Sequence, residues 1–506
     1  MGAERPAALW RSVRLQLSIV MFLGSANFYA QTACLSLALV AMVNHTALHG
    51  AQELGLREPR NVSSSLEDGP FQWDATTQGL VLSAFFWGYL VTNVPGGLLA
   101  ERFGAKRVIF WFMSGAALCS LASAPAAWLS ATALALVRVL LGAFTGVYLS
   151  SLPVLFARWA PPAERSRLLG LAMAGMPCGI VLSYALTGLI CVAAGWPAAF
   201  CTFGALGLLW CAAFQALVSD SPLAHRRVSA AEAEHIVAAL ATDHPHQVAA
   251  SSSKKPWRAI LSSWAVWAIV VAHTCFNFVE YLMQTKMPTF AKEVLHFHIV
   301  MNGAVSALPF VGYLVVSCLA GFVADRLRAH RGLGTAGARK LMTGLAALGC
   351  GGCLMGVGFC DASSRYRAVA LAAGAQSALA LSYCGHLMNH LDVAPAHAGT
   401  LFGLSNAFGT LAGVLAPYAA TQLTAGNSSR DWRLLFWSAS GVLLLGAAFY
   451  AAFAKGRVQK VGHGAASCCG DNKRRVGQAE ELEMSLKIPG MRRWAWGKQR
   501  LFNPAR

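Results

Sequence analysis

Apolar residues in this chain come in long runs, separated by short polar interruptions that hold most of the charge. Twelve runs can be read: 15–43, 77–100, 107–124, 129–157, 167–192, 197–218, 263–289, 303–324, 339–359, 368–390, 399–423 and 432–454. A helix needs about 20 apolar residues to cross a bilayer core. A bilayer admits only helices or closed barrels, because unpaired backbone groups are too costly there. Barrel strands alternate apolar and polar positions over about 10 residues, and these runs do not alternate. The pattern therefore predicts an all-α polytopic membrane protein with twelve transmembrane helices. The first run follows Arg5, Arg11 and Arg14. It is longer than the 7–15 apolar residues, roughly, of a signal-peptide core, so it reads as a retained first span.

Composition supports a bilayer rather than a large soluble core. Of the 506 residues 56% are hydrophobic and 12% are charged, against about 25% charged in soluble domains. The net charge of +18 would suggest nucleic acid in a soluble protein. Here the placement of the cations carries the information, and no nucleic-acid partner is expected. With the N-terminus in the cytosol, the cytosolic loops and termini hold 31 of the 40 Lys and Arg residues, a positive-inside bias. The three glycosylation sequons, at Asn44, Asn61 and Asn427, then all fall on the other side. This gives a cytosolic N-terminus (1–14), a first six-helix half (15–218) with a glycosylated outer loop (44–76), and a cytosolic linker (219–262). A second six-helix half (263–454) and a basic cytosolic tail (455–506) follow. The tail either lies on anionic lipid or only sets topology.

The two halves repeat a motif. Gly97-Leu-Leu-Ala-Glu101-Arg102 follows the second run and Gly321-Phe-Val-Ala-Asp325-Arg326 follows the eighth. Parallel six-helix halves are a transporter plan, with the solute site near the midplane between them. On that plan Glu101, Arg102, Asp325 and Arg326 are candidate gating charges. Pro95-Gly96-Gly97 predicts a bend and a close helix approach in the second run. No nucleophile–base pair, phosphate loop or metal cluster points to an enzyme.

Four stretches carry a family resemblance: FQWDATTQG…FFWGYLVTNVPGG (71–97), RWAPPAERSRLLGLAMAG (158–175), SDSPLAHRRVSAAEAEHI (219–236) and MNHLDVAPAHAGTLFGLSNAFG (388–409). Together they resemble solute carrier family 17 of the major facilitators, in particular its sialin-like members, over residues 15–460. The resemblance implies a monomeric transporter of organic anions, driven by protons or membrane potential, or a sodium-coupled phosphate carrier. It implies no cofactor beyond the coupling H+ or Na+. The membrane is either the plasma membrane or a lysosomal or vesicular one. A receptor that kept the fold without transport is a third reading.

Arg138 lies about ten residues into the fourth run, where family members also place an Arg. A cation at that depth is costly and usually faces the bundle interior. Its planar fork suits a carboxylate or phosphate. Thr32, Asn93, Tyr29 and His386 are further candidates for solute contact. The seventh run carries Glu280 and Lys286, candidates for coupling. Glu280 is either a proton site or a partner of Arg138 that substrate displaces, and Lys286 either couples or reaches the interface. The chain also departs from the family. Thr32 stands where sialin-like and glutamate carriers have an Arg, Leu141 and Thr145 where sialin has two Glu residues, and Leu82 where glutamate carriers have a His.

Overall fold

In a computed structural model, residues 12–44, 69–225, 227–240, 257–329, 334–394, 398–426, 428–457 and 459 are described. Eleven of the twelve apolar runs each form one helix, and the tenth is broken. The first half holds α1 (Val13–Met42), α2 (Ala75–Phe103), α3 (Ala105–Leu129), α4 (Ala131–Trp159), α5 (Pro162–Ala194) and α6 (Trp196–Leu217). The second holds α7 (Trp264–Glu293), α8 (Ile299–Ala329), α9 (Gly334–Val357), α10 (Arg365–Leu379), α11 (Ala398–Leu423) and α12 (Ser429–Phe453). In the linker, residues 230–240 are also helical.

Local chemistry sets the ends. The side chains of Ser12, Asp74 and Ser130 accept from the backbone N–H three residues on, at Leu15, Thr77 and Ala133, as N-caps do. Gly104 turns α2 into α3 with φ 91°, a backbone conformation that favours glycine. At 30 residues α1 is about 45 Å long, so it outruns the hydrocarbon core.

Ten of the helices are long and apolar enough to cross a membrane by length and composition. The two below that threshold, α1 and α2, carry interior polar residues such as Asn27, Gln31, Thr32, Thr92 and Asn93. These two line the centre of the molecule, where polar groups have a use.

One feature matches the expected close approach and one departs from the predicted pattern. Pro95 lies inside α2 without ending it, and Gly96 packs against Val147 and Ser150 of α4. A Cβ added at Gly88 or Gly142 would strike the carbonyl of Val139 or Phe85 across the same α2–α4 crossing. Small residues allow this backbone approach. The tenth run, expected to be continuous over 368–390, is broken instead. After Leu379 the backbone tightens into a 3-10 turn at Ala380–Cys384, passes through Gly385, and resumes as a short helix at Asn389–Val393. Irregular backbone at membrane depth is tolerated where protein buries it. Ser382, His386, Asn389 and His390 of this break are all buried.

Each half has its own apolar core. The halves meet from about the helix midpoints towards the end where α1 finishes, here called the distal end. There Lys292 donates to the Val40 carbonyl at 3.1 Å and Gln422 donates to Thr76 Oγ1 at 3.2 Å. Gly188 of α5 and Gly303 of α8 pack backbone to backbone. At the opposite, terminal end, the hydrogen-bonded ion pairs among the described residues stay within one half or its linker. Arg14 binds Glu164 at 2.6 Å and Glu232 at 3.1 Å, and Arg339 binds Asp392 at 2.8 Å.

Candidate functional site

The midplane contact between the halves encloses a small cavity. Phe28, Tyr29 and Thr32 of α1, Phe85, Phe86 and Tyr89 of α2, and Tyr281 and Gln284 of α7 line it. Phe86 and Tyr281 close it from either half, with ring centroids 4.6 Å apart. The free space is about 10 Å³, roughly room for one water. Any larger solute needs these rings, or the halves, to move.

Arg138 sits one layer behind that lining and is 2% exposed. Its Nη1 donates to the Gln31 carbonyl at 3.1 Å and its Nη2 to the Thr32 carbonyl at 2.9 Å. Its guanidinium carbon lies 5.7 Å from the Phe85 ring centroid. Nε has no hydrogen-bond partner. Leu141 and Thr145, one and two turns further along α4, are fully buried and neutral, and the Thr145 hydroxyl donates back to the Leu141 carbonyl at 2.8 Å. Backbone dipoles, rather than a carboxylate, hold the Arg138 charge. A buried cation left this way is well suited to an incoming anion.

Glu280, next to Tyr281 on α7, is not part of the lining. Tyr313 approaches its Oε1 at 3.5 Å, at the long limit for a hydrogen bond. Tyr313 in turn meets Tyr383 of the α10 break, ring centroids 6.0 Å apart. Glu280 and Arg138 are not paired in this conformation, since Arg138 is engaged on α1. Lys286 is buried, and its electrostatic partner is Glu293 on the same helix. That places it above the cavity rather than in the lining.

The remaining candidates are scattered. Tyr29 and Thr32 line the cavity, with the Thr32 hydroxyl donating to the Phe28 carbonyl at 3.0 Å. Asn93 lies further along α2, its buried Nδ2 without a partner. His386 is buried within the second half beside Phe276, at 4.7 Å between ring centroids, away from the lining. Glu101, Arg102 and Arg326 are exposed. The side chain of Asp325 lies outside the described residues, as do Asn61, Asn427 and the tail beyond 459. Asn44 follows α1 and its N–H donates to the Phe71 carbonyl at 2.8 Å.

Sequence reasoning missed the ion pairs at the terminal end. Arg14, one of the cations ahead of the first run, is 2% exposed and bridges two carboxylates. Glu164 and Glu232 lie inside the quoted 158–175 and 219–236 stretches. Asp220, also in the second of these, accepts from the Lys106 backbone N–H at 2.8 Å. The signal was therefore present as acids in loop motifs.

A family model described as Major Facilitator Superfamily matches residues 17–417. The chain belongs to the major facilitator superfamily. Within it the relatives are those of solute carrier family 17. Human sialin is 36% identical over 469 residues, covering 90% of this chain and 93% of sialin. Vesicular glutamate transporter 1 of Bos taurus is 31% identical, covering 88% and 78%. A putative inorganic phosphate cotransporter of Drosophila melanogaster is 31% identical, covering 88% and 86%. Among solved structures, the fold resembles the inward-open xylose transporter XylE from E. coli, with TM-score 0.64, 15% identity and coverage of 87% and 96%. It also resembles a bacterial homologue of Spinster in an inward-facing conformation, with TM-score 0.62, 13% identity and coverage of 86% and 95%. This major facilitator is thus an integral, multi-pass membrane transporter rather than an enzyme, and the twelve-helix reading stands.

Proposed function

We propose that this protein is a secondary active transporter of small organic anions that works by alternating access, driven by protons or membrane potential. The observation that carries this reading is Arg138: a buried guanidinium directly behind the cavity lining, held by two carbonyls and with no carboxylate in reach among the described residues. An anion entering past Phe85 and Thr32 supplies the missing charge. Tyr29 and Thr32 orient it, and Asn93 is the next donor along α2. Glu280, beside Tyr313 and behind the lining residue Tyr281, bears the coupling proton. The distal contacts support a state that faces the terminal end, and the distribution of cations makes that end the cytosol. Asn44, Asn61 and Asn427 are then the glycosylated, non-cytosolic positions, and the protein acts as a monomer.

The test is uptake by purified protein in proteoliposomes. Labelled sialic acid, glutamate, urate and phosphate are offered under a pH gradient, then under a sodium gradient. Organic-anion uptake driven by pH or potential supports the reading. Sodium-dependent phosphate uptake replaces it with the phosphate-cotransporter reading, which the Drosophila relative's name favours. A Glu280→Gln protein that keeps the full pH dependence removes Glu280 from coupling.

A further inference from the structure

Away from the cavity, the second half buries three histidines around one hydroxyl. His273 of α7 places Nδ1 3.0 Å from Ser405 Oγ of α11. His390 of the short helix after the α10 break places Nε2 2.8 Å from the same oxygen. His390 Nδ1 lies 2.7 Å from the Leu387 carbonyl. His386, in the break itself, is 5.9 Å from His273 between ring centroids. It is fully buried, and neither ring nitrogen has a hydrogen-bond partner.

The bonds dictate the protons. A carbonyl only accepts, so His390 Nδ1 carries a hydrogen and, in the neutral ring, Nε2 must accept. Ser405 then donates to His390 and accepts from His273 Nδ1–H. The Ser405 hydroxyl has a second acceptor within reach, the Phe402 carbonyl at 3.1 Å. If a proton is added at His390 Nε2, the serine hydroxyl turns to Phe402 and its oxygen accepts from both imidazoles. One proton is gained, no heavy atom moves, and every donor in the His273–Ser405–His390 chain still has an acceptor. The other ionisable groups around the cluster are Tyr450 of α12, 6.2 Å from His386 between centroids, Cys384 in the break, and the Arg339–Asp392 pair. That pair neutralises itself, so no fixed net charge opposes a proton here. An imidazole buried with both nitrogens unmet is costly, so His386 gains from any hydrogen-bond partner that reaches it.

We propose that His273, His390 and Ser405, with His386 beside them, form a proton-binding site in the second half whose occupancy reaches the cavity through the broken segment of α10. The same break that holds His386 also holds Tyr383, which meets Tyr313 edge to face beside Glu280. Protonating the cluster therefore acts on the segment that packs against Tyr313, the neighbour of Glu280. This extends the transport reading above and depends on its proton drive.

The test uses full-length protein in lipid with 15N-labelled histidine imidazoles, observed by solid-state NMR from about pH 5 to pH 8, the range over which imidazoles titrate. His273→Gln, His386→Gln and His390→Gln assign the three signals. The expected result is that His273 and His390 titrate as a linked pair, and that Ser405→Ala, the mildest change, uncouples them. Cluster imidazoles that keep one protonation state throughout, or titrate independently in the wild type, overturn the site. In proteoliposomes, His390→Gln should keep solute exchange at equal pH but lose acceleration by a pH gradient. Wild-type uptake that ignores the gradient refutes proton drive itself, whereas silent imidazoles beside gradient-driven uptake refute only this site.

Discussion

The hydroxyl of Tyr184 on α5 donates to the backbone carbonyl of Gln284 on α7, across the two halves. Proline has no N–H, so Pro288 leaves the Gln284 carbonyl without its helical partner, and the other half supplies one. Tyr184→Phe should remove about 1 kcal/mol of adhesion between the halves. That corresponds to roughly a fivefold shift in the balance of facing states. Labelling of an introduced Thr421→Cys by an impermeant maleimide, measured from the distal side above the native cysteines, should rise by about that factor.

Thr76 and Gln422 touch at the distal end. A Thr76→Cys/Gln422→Cys pair should form a disulfide under mild oxidant and stop uptake, and dithiothreitol should restore it. Full transport in the cross-linked protein would mean that the distal end need not open.

Arg138→Lys keeps the charge but not the fork that reaches Gln31 and Thr32 together. It should lose one charge-assisted bond, about 1.5–3 kcal/mol. Apparent solute affinity should fall about tenfold or more, since about 1.4 kcal/mol is a factor of ten. Thermal unfolding and uptake kinetics read the two effects separately.

Arg14→Ala would leave Glu232 buried without its cation. Removing one partner of a buried pair costs about 3–5 kcal/mol, so melting in detergent should show a large loss. Glu164→Gln should cost much less, because Glu164 is 27% exposed. Equal losses would place the stability elsewhere than in the Arg14–Glu232 contact.

Asp74, outside the membrane-spanning part of α2, caps that helix. Its carboxyl is held below the usual range by its hydrogen bonds to the Thr77 side chain and N–H. The stabilisation is therefore complete above the unfolded value of about 3.9 and fades as pH falls through the lower folded value. Asp74→Ala should cost about 1 kcal/mol at neutral pH, and the difference from wild type should shrink in acid.

The bilayer made the fold legible, because it forces long apolar runs into helices and leaves little else to decide. The first and second helices were recognisable although interior polar residues dilute them. The break in α10 was not legible: its residues, SYCGHLMNH, are apolar enough to pass for a helix, and only tertiary burial of His386 and Asn389 reveals the irregular backbone. Arg138 stood out because a lone cation in an apolar run is expensive. That it rests on carbonyls could not be read from the sequence, because those carbonyls belong to another helix. Glu280 was visible for the same reason as Arg138, while its tyrosine surroundings come from three other segments. The cluster around Ser405 was invisible for the opposite reason, since His273 lies far along the chain from His386 and His390 and a serine carries no warning.

The seal at the distal end has a kinetic consequence. A solute or inhibitor arriving from that side finds no entrance in this conformation, so its binding waits on the fraction of molecules that face it. Its apparent dissociation constant is the intrinsic one divided by that fraction. Compounds that differ only in the side from which they are applied should therefore differ in apparent potency. The ratio would measure how the molecule divides its time, without any label on the protein.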